Sequence, residues 1–231
     1  MDIRFLGHAA FTLSDGDTTV LIDPFLTGNP QAAVQASELN PTTILLSHGH
    51  GDHVGDTVSI AQRTGAPVMA TTELAADLTE IAGESGEAGI ETINTNLGGT
   101  HEFEWGSVKF VPAWHDSRTP TGKANVPAGL VIDFKGTVVY HAGDTALFSD
   151  LQLVGRRRPV DVAILPIGGH FTMDRFDAVD AADFVGAKTI IPCHFNTFPQ
   201  IETDFNAFAS DIDTKLDATA AVLEPGASHT V

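Results

Sequence analysis

Four short apolar runs in this chain each lead into a histidine or an aspartate. "TTILLS" precedes His48, "VKFVPAW" precedes His115, "TVVYHAG" precedes Asp144, and "KTIIPC" with His194 closes the set. Runs of this length bounded by turn residues read as buried strands. Donor side chains at such strand ends emerge on an edge of the sheet, where the first contacts are rigid and the surrounding loops can vary. The first run opens the densest cluster, His48-Gly49-His50-Gly51-Asp52-His53, three histidines and an aspartate within six positions. Neighbours this close cannot all face one ion from a regular helix or strand. Gly49 and Gly51 are expected to supply the backbone freedom that aims alternate side chains to different sides. Histidine and carboxylate donors in this pattern are a metal signal. Together with His115, Asp144 and His194 they make seven ligands, too many for one tetrahedral ion but suited to two ions sharing a bridging carboxylate.

The rest of the chain reads as two successive halves, each with strands first and helices after. In the first half, "IRFLG", "AFTLS" and "TTVLIDPF" are expected as antiparallel strands. "TTILLS" follows as a buried strand, then a helix near Gly55–Arg63, the strand "PVMAT" and a helix near Leu74–Ala82. The second half runs "VKFVPAWH", "AGLVIDF" and "TVVYHAGD", with a hairpin turn at Lys135-Gly136. Helices near Leu147–Leu153 and Phe176–Val185 alternate with "VDVAILPI" and "KTIIPCHF", and a helix near Phe205–Asp211 and the strand "AAVLEP" finish it. Strands alternating with helices, twice over, predict two packed sheets with helices outside. With no Pro/Gly/Ser-rich linker between the halves, one domain with internal pseudo-symmetry is expected.

Charge narrows the partners. Thirty acidic residues against 12 basic ones leave a net charge of −18, a surface that repels nucleic-acid phosphates. The longest basic run, Arg156-Arg157-Arg158, reads as a solvated helix end. No apolar stretch approaches the roughly 20 residues needed to span a bilayer. "MDIRFLGHAAF" shows no secretion signal, and Cys193 is the sole cysteine. A cytoplasmic location is therefore expected. Cys193 itself reads as a buried strand residue.

At this point the motifs reach a family. His48-Gly-His-Gly-Asp-His53, then Trp-His115, Gly-Asp144-Thr and His194, resemble the metallo-β-lactamase superfamily in order and spacing, over essentially the whole chain. "GHAAF", "HGHGDHVGD", "YHAGDT", "PIGGHFTM" and "HFNTFP" are similar to its small stand-alone metal-dependent hydrolases, relatives of the L-ascorbate-6-phosphate lactonases. The resemblance implies an α/β fold, an αββα four-layer sandwich, in a single domain over residues 1–231. It implies two divalent ions, zinc first and manganese, nickel or iron as alternatives. His48, His50 and His115 would hold one ion and Asp52, His53 and His194 the other, with Asp144 bridging. A metal-bound hydroxide would then cleave an ester, lactone or phosphodiester of a small metabolite. Polynucleotide substrates are disfavoured because the nucleases of the superfamily carry an inserted domain. Two further readings stand beside this one: an iron-dependent redox enzyme on the same scaffold, and a noncatalytic metal-binding protein. Members of the group often assemble, so a homo-oligomer stays open, though nothing in this chain specifies the interface.

The candidate catalytic residues are Asp52, as a ligand within the reaction centre, and His170, which could protonate a leaving group or bind substrate. Asp23 matches the superfamily aspartate that orients a metal-binding histidine from behind. His8 matches a cleft position, with a surface histidine as the alternative; His141 reads as packing or support, and His101 and His229 as surface residues. The polar segment Asp116–Ala128 is expected to be a flexible overhang from which Arg118 or Lys123 could meet an anionic substrate. Asp116 departs from the group, which tends to have serine there.

Overall fold

The computed structural model describes residues 1–86 and 88–231. Two compact units form, one from Met1–Leu97, Asp116–Pro127 and Glu224–Val231, the other from Gly98–His115 and Ala128–Leu223. Each contains one seven-stranded mixed sheet.

In the first unit β1 (Asp2–Gly7), β2 (Ala10–Asp15) and β3 (Thr18–Ile22) pair antiparallel, as their alternating sequences predict. β4 (Thr43–Leu45), β5 (Val68–Thr71) and β6 (Thr92–Thr95) then add in parallel. All of β4 is buried, which explains its unbroken apolar run. The connections carry α1 (Gly51–Val54), α2 (Thr57–Thr64) and α3 (Thr72–Glu84). Ile60 of α2 and Leu74 and Leu78 of α3 pack with Ile44, Leu46 and Val68 of the sheet.

The second unit repeats the pattern. β7 (Thr100–Phe103), β8 (Gly106–Pro112), β9 (Ala128–Phe134) and β10 (Thr137–His141) are antiparallel. β11 (Val162–Pro166), β12 (Thr189–Cys193) and β13 (Thr219–Ala220) follow in parallel. Lys135 and Gly136 both take positive φ, 49° and 100°, the conformation of the tight hairpin their sequence predicts. α4 (Arg175–Val185) starts where the Asp174 carboxylate accepts the Phe176 and Asp177 backbone N–H groups, and stops at Gly186 with φ 68°. α5 (Phe205–Lys215) buries Phe208 and Ile212 completely, each contributing on the order of 2 kcal/mol.

Five expectations change, one of them the strand expected over "AAVLEP", of which only Ala220 belongs to β13. The units are not successive halves: β14 (Ser228–Thr230) returns the C-terminus to pair with β1, and Asp116–Pro127 belongs to the first unit although it joins β8 to β9. β6, β7 and β14 carry no apolar run because they lie at or near sheet edges, where one face meets water. The helix expected near Leu147–Leu153 is a 3₁₀ turn at Ser149–Leu153, with Phe148 extended before it, too short to offset helix nucleation. The helix expected from Gly55 begins at Thr57 instead, because Gly55 ends α1 at φ 41°, ψ −120°, outside the helical region, and a Cβ there would stand 2.4 Å from Pro24 O. No helix among the described residues is long and apolar enough to cross a membrane.

Candidate metal centre

In the first unit the motif leaves β4 through Leu46 and Ser47. His48 is fully buried, and α1 carries Asp52 and His53 on a single turn. Two buried groups behind the motif set the imidazoles. Asp23 Oδ1 accepts Ser47 N–H (2.8 Å), and Oδ2 accepts Ser47 Oγ–H (2.6 Å) and lies 2.8 Å from His53 Nδ1. An ionised carboxylate only accepts, so His53 carries its proton on Nδ1 and its lone pair on Nε2. Ser47 Oγ, its hydrogen given to Asp23, accepts from His48 Nδ1 at 3.0 Å, which puts the His48 lone pair on Nε2 as well. That Nε2 is 3.0 Å from His50 Nδ1. His8, buried and at φ 59°, sets Nε2 3.1 Å from Asp52 Oδ2, so the surface reading of His8 is excluded.

Gly49 works by size rather than freedom. Neither Gly49 nor Gly51 adopts positive φ; a Cβ on Gly49 would meet Arg118 O at 2.5 Å and Asn125 Oδ1 at 2.8 Å. What presses on it is the expected flexible overhang, which is instead a hairpin fastened to the first unit. Ser117 Oγ accepts Gly49 N–H (3.0 Å) and donates to Asn125 Oδ1 (2.7 Å). The far end is held by α3, where Asp77 accepts Thr121 N–H (3.1 Å) and Thr121 Oγ–H, and Lys123 Nζ pairs with Asp77 (3.1 Å) and Glu80 (2.5 Å). Burial pushes the Asp77 carboxyl up, but the Thr121 and Lys123 bonds outweigh it and hold it below 3.8. The Lys123 ammonium is thus committed to α3 rather than to a substrate. Arg118 is exposed and donates to Gly122 O (3.2 Å).

The second unit gathers its candidates from three connections. Asp144 Oδ2 lies 3.6 Å from His115 Nε2 and 3.2 Å from His194 Nε2. Thr145 holds the arrangement. Its Oγ accepts Trp114 N–H (2.9 Å) and donates to Ala146 O (2.8 Å), while Ala146 N–H returns to Trp114 O (3.0 Å). Trp114 adjoins His115 and Thr145 adjoins Asp144, so these bonds set the spacing of two candidate ligands. Thr145 O also accepts Met173 N–H (3.1 Å), tying in the Gly168–Met173 loop that exposes His170. Gly168 leaves room for His194, since a Cβ there would fall 2.3 Å from His194 O. His141 is buried in β10, and Cys193 is buried at the end of β12.

His8, Asp23 and His194 are three of the five non-glycine residues with positive φ among the described residues, and each directly follows a strand. Such backbone costs on the order of 1–3 kcal/mol per residue and concentrates where side-chain aim matters. The donor set fits a divalent metal. Imidazoles with fixed tautomers, backed by a carboxylate and a hydroxyl, are the usual support of metal-ligating histidines. The 3.0 Å His48–His50 nitrogen separation is near the ~3.3 Å edge of a tetrahedron with 2.0–2.1 Å metal–nitrogen bonds. Ser47, Ser117, Thr145 and Gly168 escaped sequence reasoning; only Ser47 and Thr145 had a signal, as hydroxyls adjoining candidate ligands.

A family model for the beta-lactamase superfamily domain matches residues 18–195, a span that holds all seven expected ligands. A UPF0173 metal-dependent hydrolase of Oenococcus oeni is 47% identical over 93% of this chain and 94% of its own length. One of Thermus thermophilus is 44% identical over 98% of this chain and 97% of its own. The chain belongs to this family, the UPF0173 metal-dependent hydrolases of the β-lactamase superfamily. The solved structure of Igni18, a metallo hydrolase from Ignicoccus hospitalis, matches at TM-score 0.88 and 33% identity over 99% of this chain and 97% of that one. The fold class read from the sequence, α/β with two mixed sheets flanked by helices, is the one the UPF0173 chain adopts.

Proposed function

We propose that this UPF0173 hydrolase works as one domain with two divalent ions, cleaving an ester, lactone or phosphodiester of a small metabolite. His48, His50 and His115 would hold one ion and Asp52, His53 and His194 the other, with Asp144 available to both. Zinc suits the histidine-rich set best, while manganese, nickel or iron also accept mixed nitrogen and oxygen donors. Bound ions would supply an activated water and polarise the carbonyl or phosphoryl oxygen. The protein's part is orientation. Asp23 and Ser47 keep the His48 and His53 protons on Nδ1, His8 braces Asp52, and Thr145 sets the reach from His115 to Asp144. His170 passes a proton to the leaving group from its exposed loop.

The observation that carries this reading is the buried Asp23–Ser47 pair behind two histidines of one loop. A merely polar loop has no use for a buried carboxylate that fixes tautomers. Elemental analysis of the purified protein, with a panel of lactones, phosphodiesters and thioesters assayed across metals, tests it. Two ions per chain and activity lost in Asp144→Ala are expected. Full activity in that variant, or in chelator-stripped protein, overturns the assignment.

A further inference from the structure

The basic run Arg156-Arg157-Arg158 has a place in the fold that the hydrolytic site does not use. It rims a groove of about 740 Å³ on the second unit, whose other cation is Lys109. A third of the chain's 12 basic residues therefore line one groove of a protein carrying −18. Two carboxylates also line it, Asp133 and Asp150. Asp133 is already answered by Arg158, which pairs with it and also donates to Gly136 O (2.7 Å). Lys109, Arg156 and Arg157 thus face a single uncompensated carboxylate. Among the described residues, neither Arg156 nor Arg157 forms an ion pair, and both are exposed.

The floor beneath these cations is apolar for a reason of register. Lys109 pairs with Val131 and Ser107 with Asp133, so these side chains share one face of the sheet with Val111. The opposite face, with Val108, Phe110 and Ile132, is fully buried. The Lys109 face is only half-buried, and no residue of α4 or α5 lines the groove. Val111, Val131 and Leu153, the last 54% exposed, form an apolar bed under a cationic rim. The volume lies within the roughly 300–1,000 Å³ of small-molecule sites.

We propose that this groove binds a small amphipathic organic anion, its carboxylate or phosphate head held by Arg156 and Arg157 and its apolar body laid on Val111, Val131 and Leu153. Charge complementarity selects the occupant. The acidic surface at large repels anions while this rim is locally cationic, and a guanidinium pair matches an oxyanion head. None of the candidate metal ligands lines the groove, so it is a second site rather than part of the first.

Calorimetric titration of the metal-loaded protein with monomeric decyl phosphate tests this, with decanol as the uncharged counterpart. One saturable equivalent is expected whose affinity drops at least about tenfold in Arg156→Gln/Arg157→Gln and weakens at high salt. Leu153→Glu, which puts a negative charge on the exposed part of the floor, should abolish it while hydrolysis and melting stay at wild-type values. A phosphate head engaging the metal centre would survive both changes, which separates the two sites. The proposal falls if the wild type shows no saturable binding, if the double variant binds equally well, or if decanol binds as tightly. It also falls if the double variant alters only the oligomeric state, which would make the groove a contact between copies of this chain.

Discussion

The two units share a strand pattern and load it differently. From β14 through β1 to β6, and from β7 to β13, each sheet runs through three antiparallel pairings and then three parallel ones. Equivalent strands end in equivalent chemistry: His8 after β1 and His115 beyond β8, Asp23 after β3 and Asp144 beyond β10, His48 beyond β4 and His170 beyond β11. The first unit concentrates its candidate ligands in the connection after β4 and uses Asp23 as support. The second spreads them over the connections after β8, β10 and β12, and uses Thr145 as the staple. A contiguous site needs a buried brace behind it, whereas a dispersed one needs its loops tied to one another.

That contrast can be broken at several points. The largest effect is expected from Asp144→Ala, a loss of hydrolysis on the order of a thousandfold with reduced metal content, read by steady-state rates and elemental analysis. Activity above a tenth of wild type would show that the second unit contributes little. Next comes the brace. Asp23→Asn should weaken metal affinity about 10- to 100-fold in chelator competition, since the amide NH2 donates where one carboxylate oxygen accepted and so faces a Ser47 or His53 donor. Unchanged affinity there would mean the loop aims its histidines unaided.

The staple should matter less than the brace. Thr145→Val removes the bond to Trp114 N–H, and about a tenfold drop in kcat is expected from misplaced ligands, with recovery in Thr145→Ser because serine keeps the hydroxyl. A serine variant as poor as valine would assign the effect to packing. The smallest effect on turnover belongs to Asp77→Asn, which loosens the hairpin behind Gly49. Its melting temperature at pH 7 should fall by about 2–4 °C. The Asp77 carboxyl is held below its ordinary 3.8, so its stabilisation is complete above that pH and is lost as pH falls through the lowered value. Wild type and variant should therefore converge in acid melts; a gap that persists at low pH would mean the carboxylate charge is not what holds the hairpin.

How much was legible follows the same division. The ligands in His48–His53 could be read as a unit because they are neighbours in the chain. His115, Asp144 and His194 were legible one at a time, each as a donor ending an apolar run. The support was not. Asp23 was recognised by its place after a strand, but its bond to Ser47 joins positions 24 residues apart. Gly168 and Ser117 carry no pattern, and Thr145 only its place beside Asp144, since hydrogen bonding to a distant backbone and room for a neighbour's carbonyl leave no local periodicity. Edge strands failed for another reason: β6 and β7 meet water on one face and need no apolar run.

By itself the sequence determined which side chains are donors, which segments are buried strands, and that a short loop would crowd several donors together, because residue type and hydrophobic period are local properties. Only the tertiary structure decided which nitrogen of His48 and His53 keeps its proton, why Gly49 and Gly168 must be small, and that the segment after His115 folds back as a fastened hairpin. It also turned an arginine run that reads as a solvated helix end into the rim of a groove. These depend on groups far apart in the chain meeting within hydrogen-bond or van der Waals distance, and no local pattern encodes that.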